Sequence, residues 1–142
     1  MIQSLHTSIS GLTAAVKRAS VAASNIANAG STLSMDPVLQ ISGADADGQS
    51  DAYSGYRPVR IQQKTVAGGG TEAVARPVEP PFAPVFDPGH PDADADGVVK
   101  LPNVSLVEEL VELKRAHHAY KANLAVIRTV NDLLGTLVDR KA

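Results

Sequence analysis

The chain has no cysteine and no tryptophan, only 4% aromatic residues, and a formal net charge of -2. Without cysteine, disulfides and thiolate metal sites are excluded. A nearly neutral balance lacks the basic surplus that marks a nucleic-acid binder. Hydrophobic residues still make up 44%, so the apolar content lies mainly in alanine, valine and leucine, which suit thin helical seams better than a deep core. A chain of 142 residues fits one domain, or a small domain with long arms, and leaves little room for a large pocket that binds a small-molecule substrate. No stretch approaches the roughly 20 apolar residues that span a bilayer. From Met1 to Ser10 polar residues interrupt every short apolar step, unlike the continuous apolar core of about 7–15 residues in a cleavable secretion signal. The expectation is a protein that does not span a membrane and would leave the cytoplasm only by a route that reads no such signal.

Proline is missing from both ends. All nine prolines lie between Pro37 and Pro102, and nine of eleven glycines lie between Gly30 and Gly97. Proline is costly inside a helix, so the chain divides into a helix at 1–30, an irregular middle at 31–102, and a second helix at 103–142. The two helices should act as one structural unit.

Both flanks carry a heptad. In the first, Ile2, Leu5, Ile9, Leu12, Val16, Ala19, Ala23 and Ile26 alternate steps of three and four. In the second, Leu106, Leu110, Leu113, His117, Tyr120, Leu124, Ile127, Asn131, Leu134 and Val138 do the same. A period of 3.5 is the seam of a coiled coil. Ser105 with Glu108 forms a capping box after Pro102, and Glu108, Glu109 and Glu112 suit the positive end of the helix dipole. The predicted fold is mainly α, with the terminal helices paired, parallel or antiparallel, as a coiled-coil-like bundle around a small β or irregular middle. Rods of this length have more apolar edge than one partner covers, which points to association with other chains. A monomeric helical hairpin that binds an unrelated partner fits the same pattern.

In the middle, residues 38–41, 56–64 and 73–78 read as short strands. Gly68–Gly70 is a flexible turn able to join the last two as a hairpin. Residues 80–84 read as extended and semi-rigid.

The sharpest local motif is Asp92-Ala93-Asp94-Ala95-Asp96-Gly97, which matches the first half of an EF-hand loop. The twelfth position is Asn103 rather than a bidentate glutamate, and Pro88 and Pro91 forbid an incoming helix. An acidic turn held by Asx-type bonds explains the same residues. The alternative function is a calcium-responsive helical adaptor that uses Asp92, Asp94 and Asp96. Asp45-Ala46-Asp47-Gly48 is a weaker echo. His117 and His118 diverge by about 100° on a helix, which suits packing better than chelation. No nucleophile elbow and no phosphate-cradling loop is present, so no enzyme and no cofactor is expected.

Particular residues then add a resemblance. Ser10 to Ala15, Arg18, and Val21 to Asn28 resemble the N-terminal signature of the bacterial flagellar rod, hook and hook–filament junction family. Phe86 to Gly97, Val99 to Val104, Val107 to Leu110, and Ala119-Tyr120-Lys121-Ala122-Asn123 resemble its proximal-rod branch. Ala19 and His118 depart from the residues usual there, as do Lys114 and Arg115, and residues 33–80 match only loosely. The resemblance implies a structural subunit of the flagellar basal-body rod in the periplasm, which transmits motor torque to the hook. It also implies export by the flagellar type III apparatus without a cleaved signal. The partners implied are other copies of the chain and other rod proteins. On this reading assembly would be carried by Leu5, Ile9, Leu12, Val16, Ala23, Asn25, Ile26 and Asn28 of the first helix. Leu106, Leu110, Leu113, Tyr120, Asn123, Leu124 and Ile127 would carry it on the second.

Overall fold

A computed structural model describes residues 2–32 and 55–139. The expected strand at 38–41 and the acidic echo at 45–48 lie outside the described residues. Two helices and two β-hairpins follow in the order α1 (Ile2–Asn28), β1 (Val59–Thr65), β2 (Thr71–Pro77), β3 (Phe82–Phe86), β4 (Val98–Pro102) and α2 (Leu106–Asp139).

The helices are antiparallel. Asn25 meets Glu109, Arg18 meets Glu112, and Gly11 lies against Asn123. Their contact has the expected heptad spacing but a different phase. On α1 the covered positions are Ser8, Gly11, Ala15, Arg18, Ala22 and Asn25, and on α2 they are Glu109, Glu112, Ala116, Ala119 and Asn123. Each falls one residue before the expected seam, a rotation of about 100°.

The physical reason is side-chain size. Ala15, Ala22 and Ala116 are almost fully buried, and only such small residues let two helix backbones approach closely. A built Cβ on Gly11 would stand 2.6 Å from Asn123 Oδ1. Ser8 is buried with its hydroxyl returned to the Ser4 carbonyl, so the buried oxygen is satisfied.

β1 and β2 form an antiparallel hairpin in which Val59 faces Pro77 and Thr65 faces Thr71. Its turn closes through Gly69 N–H to Val66 O, with positive φ at Gly68, Gly69 and Gly70, a conformation open to glycine at little cost. The hairpin lies along α1. Ser10 Oγ accepts the Thr71 N–H, and Gln3 reaches Gly68 O. Ala14, one turn on from Ser10, is buried, as is Ala73 of β2. The glycine turn and the two flanking strands thus agree with the sequence reading, within a few residues.

β3 and β4 form a second antiparallel hairpin, Phe82 facing Pro102 and Phe86 facing Val98. Here the structure corrects the reading of 80–84 as merely extended. Asp94 organises the long connection: its Oδ1 accepts the N–H of Asp96 and of Val98, and its carbonyl accepts Gly97 N–H. Ser105 Oγ accepts Glu108 N–H at 3.4 Å, so the cap of α2 is present in its forward half.

Candidate assembly interface

The α1 faces that meet α2 and the first hairpin leave a third face outside. That face carries the larger apolar residues. Ile9 is 50% and Val16 54% exposed, Ala23 is exposed, and Leu5, Leu12 and Ile26 are half-buried. On α2, Leu106 and Leu110 stand more than half exposed, with Val107, Val111 and Tyr120 also open. Leu113, Leu124 and Ile127 are half-buried at the margin of the helix pair. Among the described residues the predicted heptad positions are therefore exposed or half-buried, beside the small-residue seam that closes the subunit. His117, expected on the seam, is exposed beside His118, with the ring centres 6.0 Å apart.

Two expected interface residues, Asn25 and Asn123, face inward instead. Asn25 is 1% exposed and ties three elements together. Its Nδ2 donates to Val59 O at 2.9 Å and to Glu109 Oε1 at 2.7 Å, and its Oδ1 accepts from Tyr56 Oη at 2.7 Å and from Val59 N–H at 3.4 Å. The carboxamide thus pairs with both backbone groups of Val59 as a neighbouring strand would. Asn123 donates to Ala119 O, within its own helix, and packs on Gly11. Asn28 donates to Ser24 O. Short amides next to small residues serve close packing, which explains why Asn25 and Asn123 stand inside, while the Asn28 amide bonds within its own helix.

Glu109 was not expected in any site. Partial burial pushes its carboxyl above the usual glutamate range, and Glu112 and Glu108 add to that; the hydrogen bond from Asn25 and the charge of Arg60 act against it. Arg60 binds Glu108 at 2.9 Å, and Glu112 lies between Arg115 at 2.8 Å and Arg18 at 3.5 Å. These pairs rim a groove of about 530 Å³ whose apolar lining is Val21, Ala22, Val59, Ile61, Val107 and Val111. Tyr56 and Gly11 were also missed as site residues. Only Gly11 left a signal, as an isolated glycine inside a helical pattern.

The acidic loop has its own partners. Thr32 Oγ1 donates to Asp92 Oδ2 at 2.6 Å, and Asp94 serves backbone N–H groups. Among the described residues no three acidic or histidine side chains converge as a metal would need. The calcium reading gains no support, and Asx-type bonding accounts for the motif. Nor is any described helix long and apolar enough to cross a membrane.

Comparison with known proteins decides the family. A family model described as flagellar basal body rod FlgEFG protein C-terminal matches residues 95–140. The chain is 33% identical over 133 residues to the flagellar basal-body rod protein FlgC of Agrobacterium fabrum, covering 92% of this chain and 87% of that one. It belongs to the FlgC family of flagellar basal-body rod proteins. Identity to the FlgC of Salmonella typhimurium is 37%, covering 88% of this chain and 86% of that one. Identity to the FlgC of Bacillus subtilis is 30%, covering 92% and 91%. The FlgC match spans both helices and both hairpins, so the family and the architecture describe the same stretch of chain. It makes this a structural protein of the flagellar basal body.

Proposed function

We propose that this FlgC-family chain polymerises through the outer faces of α1 and α2 and, as part of the proximal rod, passes torque from motor to hook. The observation that carries the reading is the division of labour between two seams of equal period. The inner seam is made of residues that bury little. A methyl contributes about 0.8 kcal/mol, against about 1.5–3 for a leucine or valine side chain. The outer stripes hold Leu5, Ile9, Leu12, Val16, Ala23, Leu106, Leu110 and Tyr120, with Ile26, Leu113, Leu124 and Ile127 at their margins. Most of the available hydrophobic gain is thus reserved for contacts outside the subunit. The partners are other copies of this chain and other rod proteins, reached after export by the flagellar type III apparatus without a cleaved signal.

The test compares outer with inner positions. Leu110→Asp and Val16→Asp should leave the purified subunit folded, since substitutions at exposed sites are usually worth within about 0.5 kcal/mol. Both should fail to enter rods and should abolish motility when they replace the native protein. Ala22→Asp should instead unfold the subunit. If Leu110→Asp and Val16→Asp subunits assemble normally, the outer seam is not the interface.

A further inference from the structure

Four strand edges are offered by the two hairpins, and they differ in a way that backbone parity makes clear. In the first hairpin Val66 N–H bonds Gly70 O and Val78 N–H bonds Pro58 O. The even residues of β1 therefore point at β2, and Val59, Ile61, Gln63 and Thr65 point their backbone groups away from it. On β2 the outward positions are Thr71, Ala73, Ala75 and Pro77. Thr71 N–H is taken by Ser10, Ala73 is buried and Pro77 has no N–H.

The same parity in the second hairpin comes from Asp87 N–H to Gly97 O and Asn103 N–H to Pro81 O. Its outward positions are then Phe82, Pro84 and Phe86 on β3, and Val98, Lys100 and Pro102 on β4. A proline at an outward position blocks addition of another strand while sparing the native ladder. Three edges of four carry such a proline.

The β1 edge does not. Its first outward residue, Val59, is capped on both backbone groups by Asn25. Beyond it, the N–H and C=O of Ile61, Gln63 and Thr65 bond no other described group. Gln63 and Thr65 are exposed. The edge opens beside the groove lined by Val21, Ile61, Val107 and Val111.

We propose that the outer edge of β1 is a β-augmentation site that takes an extended segment of another polypeptide as a third strand. The chemistry of that segment follows from the two faces of the hairpin. Val59, Ile61 and the buried Ala73 share the face toward α1, so side chains on that side of the added strand are apolar and enter the groove. The opposite face carries Arg60, Lys64 and Arg76 against Glu72, all exposed. Arg60 and Lys64 stand on the strand next to the newcomer, so its outward side chains are acidic. The segment alternates apolar with acidic residues and contains no proline at its pairing positions. Arg60 is shared with Glu108 at 2.9 Å, which leaves Lys64 as the less committed cation. This inference does not depend on the rod reading, since it rests on the backbone edge of Ile61, Gln63 and Thr65, although Val107 and Val111 of α2 border both surfaces.

The probe is a synthetic, end-capped peptide of about six residues alternating valine and glutamate, added to the full chain and followed by amide hydrogen exchange and NMR shifts. The expected result is slowed exchange at Ile61, Gln63 and Thr65, with β2 amides unchanged. Gln63→Pro removes one outward N–H yet leaves the β1–β2 hydrogen bonds intact, and it should weaken peptide binding at least tenfold. A valine–lysine peptide should bind at least tenfold more weakly than the valine–glutamate one. Three results overturn the proposal: no protection at these amides, equal binding by Gln63→Pro with a native exchange pattern, or equal binding of the lysine peptide. If protection of Gln63 grows with protein concentration alone, the edge belongs to a second copy of this chain, and a separate partner is ruled out.

Discussion

Replacing Gly11 with alanine puts helix propensity and packing in direct opposition. In an isolated helix the change should stabilise by about 0.8–1 kcal/mol, because glycine loses more backbone entropy than alanine. Here the new methyl carbon would lie 2.6 Å from Asn123 Oδ1 and 2.8 Å from Cγ and Nδ2. The whole carboxamide must move, and it is held by its 2.8 Å bond to Ala119 O. Overpacking of this kind costs about 1–3 kcal/mol, and loss of the hydrogen bond costs about 1 more. The net expectation for Gly11→Ala is a loss of about 1–3 kcal/mol in denaturant unfolding of the isolated subunit. Adding Asn123→Ala removes the obstacle, so the double variant should be more stable than Gly11→Ala alone, with a coupling of at least about 1 kcal/mol. If Gly11→Ala alone matches or exceeds the wild type, the close approach of the helices at this point is refuted.

Further expectations follow from the Asn25 cluster and the acidic loop. Asn25→Ala strands both Val59 backbone groups and Tyr56 Oη, so it should cost about 2–4 kcal/mol in the same unfolding assay; a loss under about 0.5 would show that water replaces the amide. Glu109→Gln keeps an oxygen for Asn25 but cannot ionise. Because the folded carboxyl is held above its ordinary range by burial, its stabilising balance is full below the ordinary glutamate range and declines as pH rises through the folded value. Thermal unfolding of Glu109→Gln and wild type should therefore converge near pH 4, with the variant gaining relative to wild type by pH 7. A pH-independent difference contradicts that. Asp94→Ala should loosen the β3–β4 connection, seen as faster amide exchange at Asp96 and Val98, and calcium should not restore it.

The period of the helices could be read from sequence, but their phase could not. Heptad spacing follows from any regular contact between helices, and both seams have it. Choosing between them by apolar size selected Ile9, Val16 and Leu110, whereas backbone approach at Gly11, Ala15 and Ala116 selected the smaller neighbours. Size ranks how much a residue gains from burial; it does not say which partner buries it. The first hairpin was legible because Gly68–Gly70 demands a turn between two β-prone runs. The second was hidden by Pro80, Pro81 and Pro84, which suggest extended chain without pairing. In the structure the prolines at pairing positions, Pro84 and Pro102, stand where a proline costs no ladder bond. Asn25 was legible as a special residue through the family resemblance, but its direction was not, since an amide on a helix serves an outside partner and an inside strand edge equally well.

The two seams also bear on how a single fold can hold its own shape and still be part of a rod. A leucine-rich inner seam would compete with the outer one: under a rotation of about 100° of either helix, large apolar residues would exchange places and the subunit would close on itself. Gly11 against Asn123 and Asn25 against Val59 forbid that rotation, the first by shape and the second by hydrogen bonds. On the reading proposed above, the inner residues thus contribute less to stability than to phase, keeping Ile9, Val16 and Leu110 turned toward neighbours. Gly11→Ala with Asn123→Ala, which relaxes the shape constraint, should then retain a folded subunit but lower its incorporation into rods. Unchanged incorporation would mean that the Asn25 bonds alone set the phase.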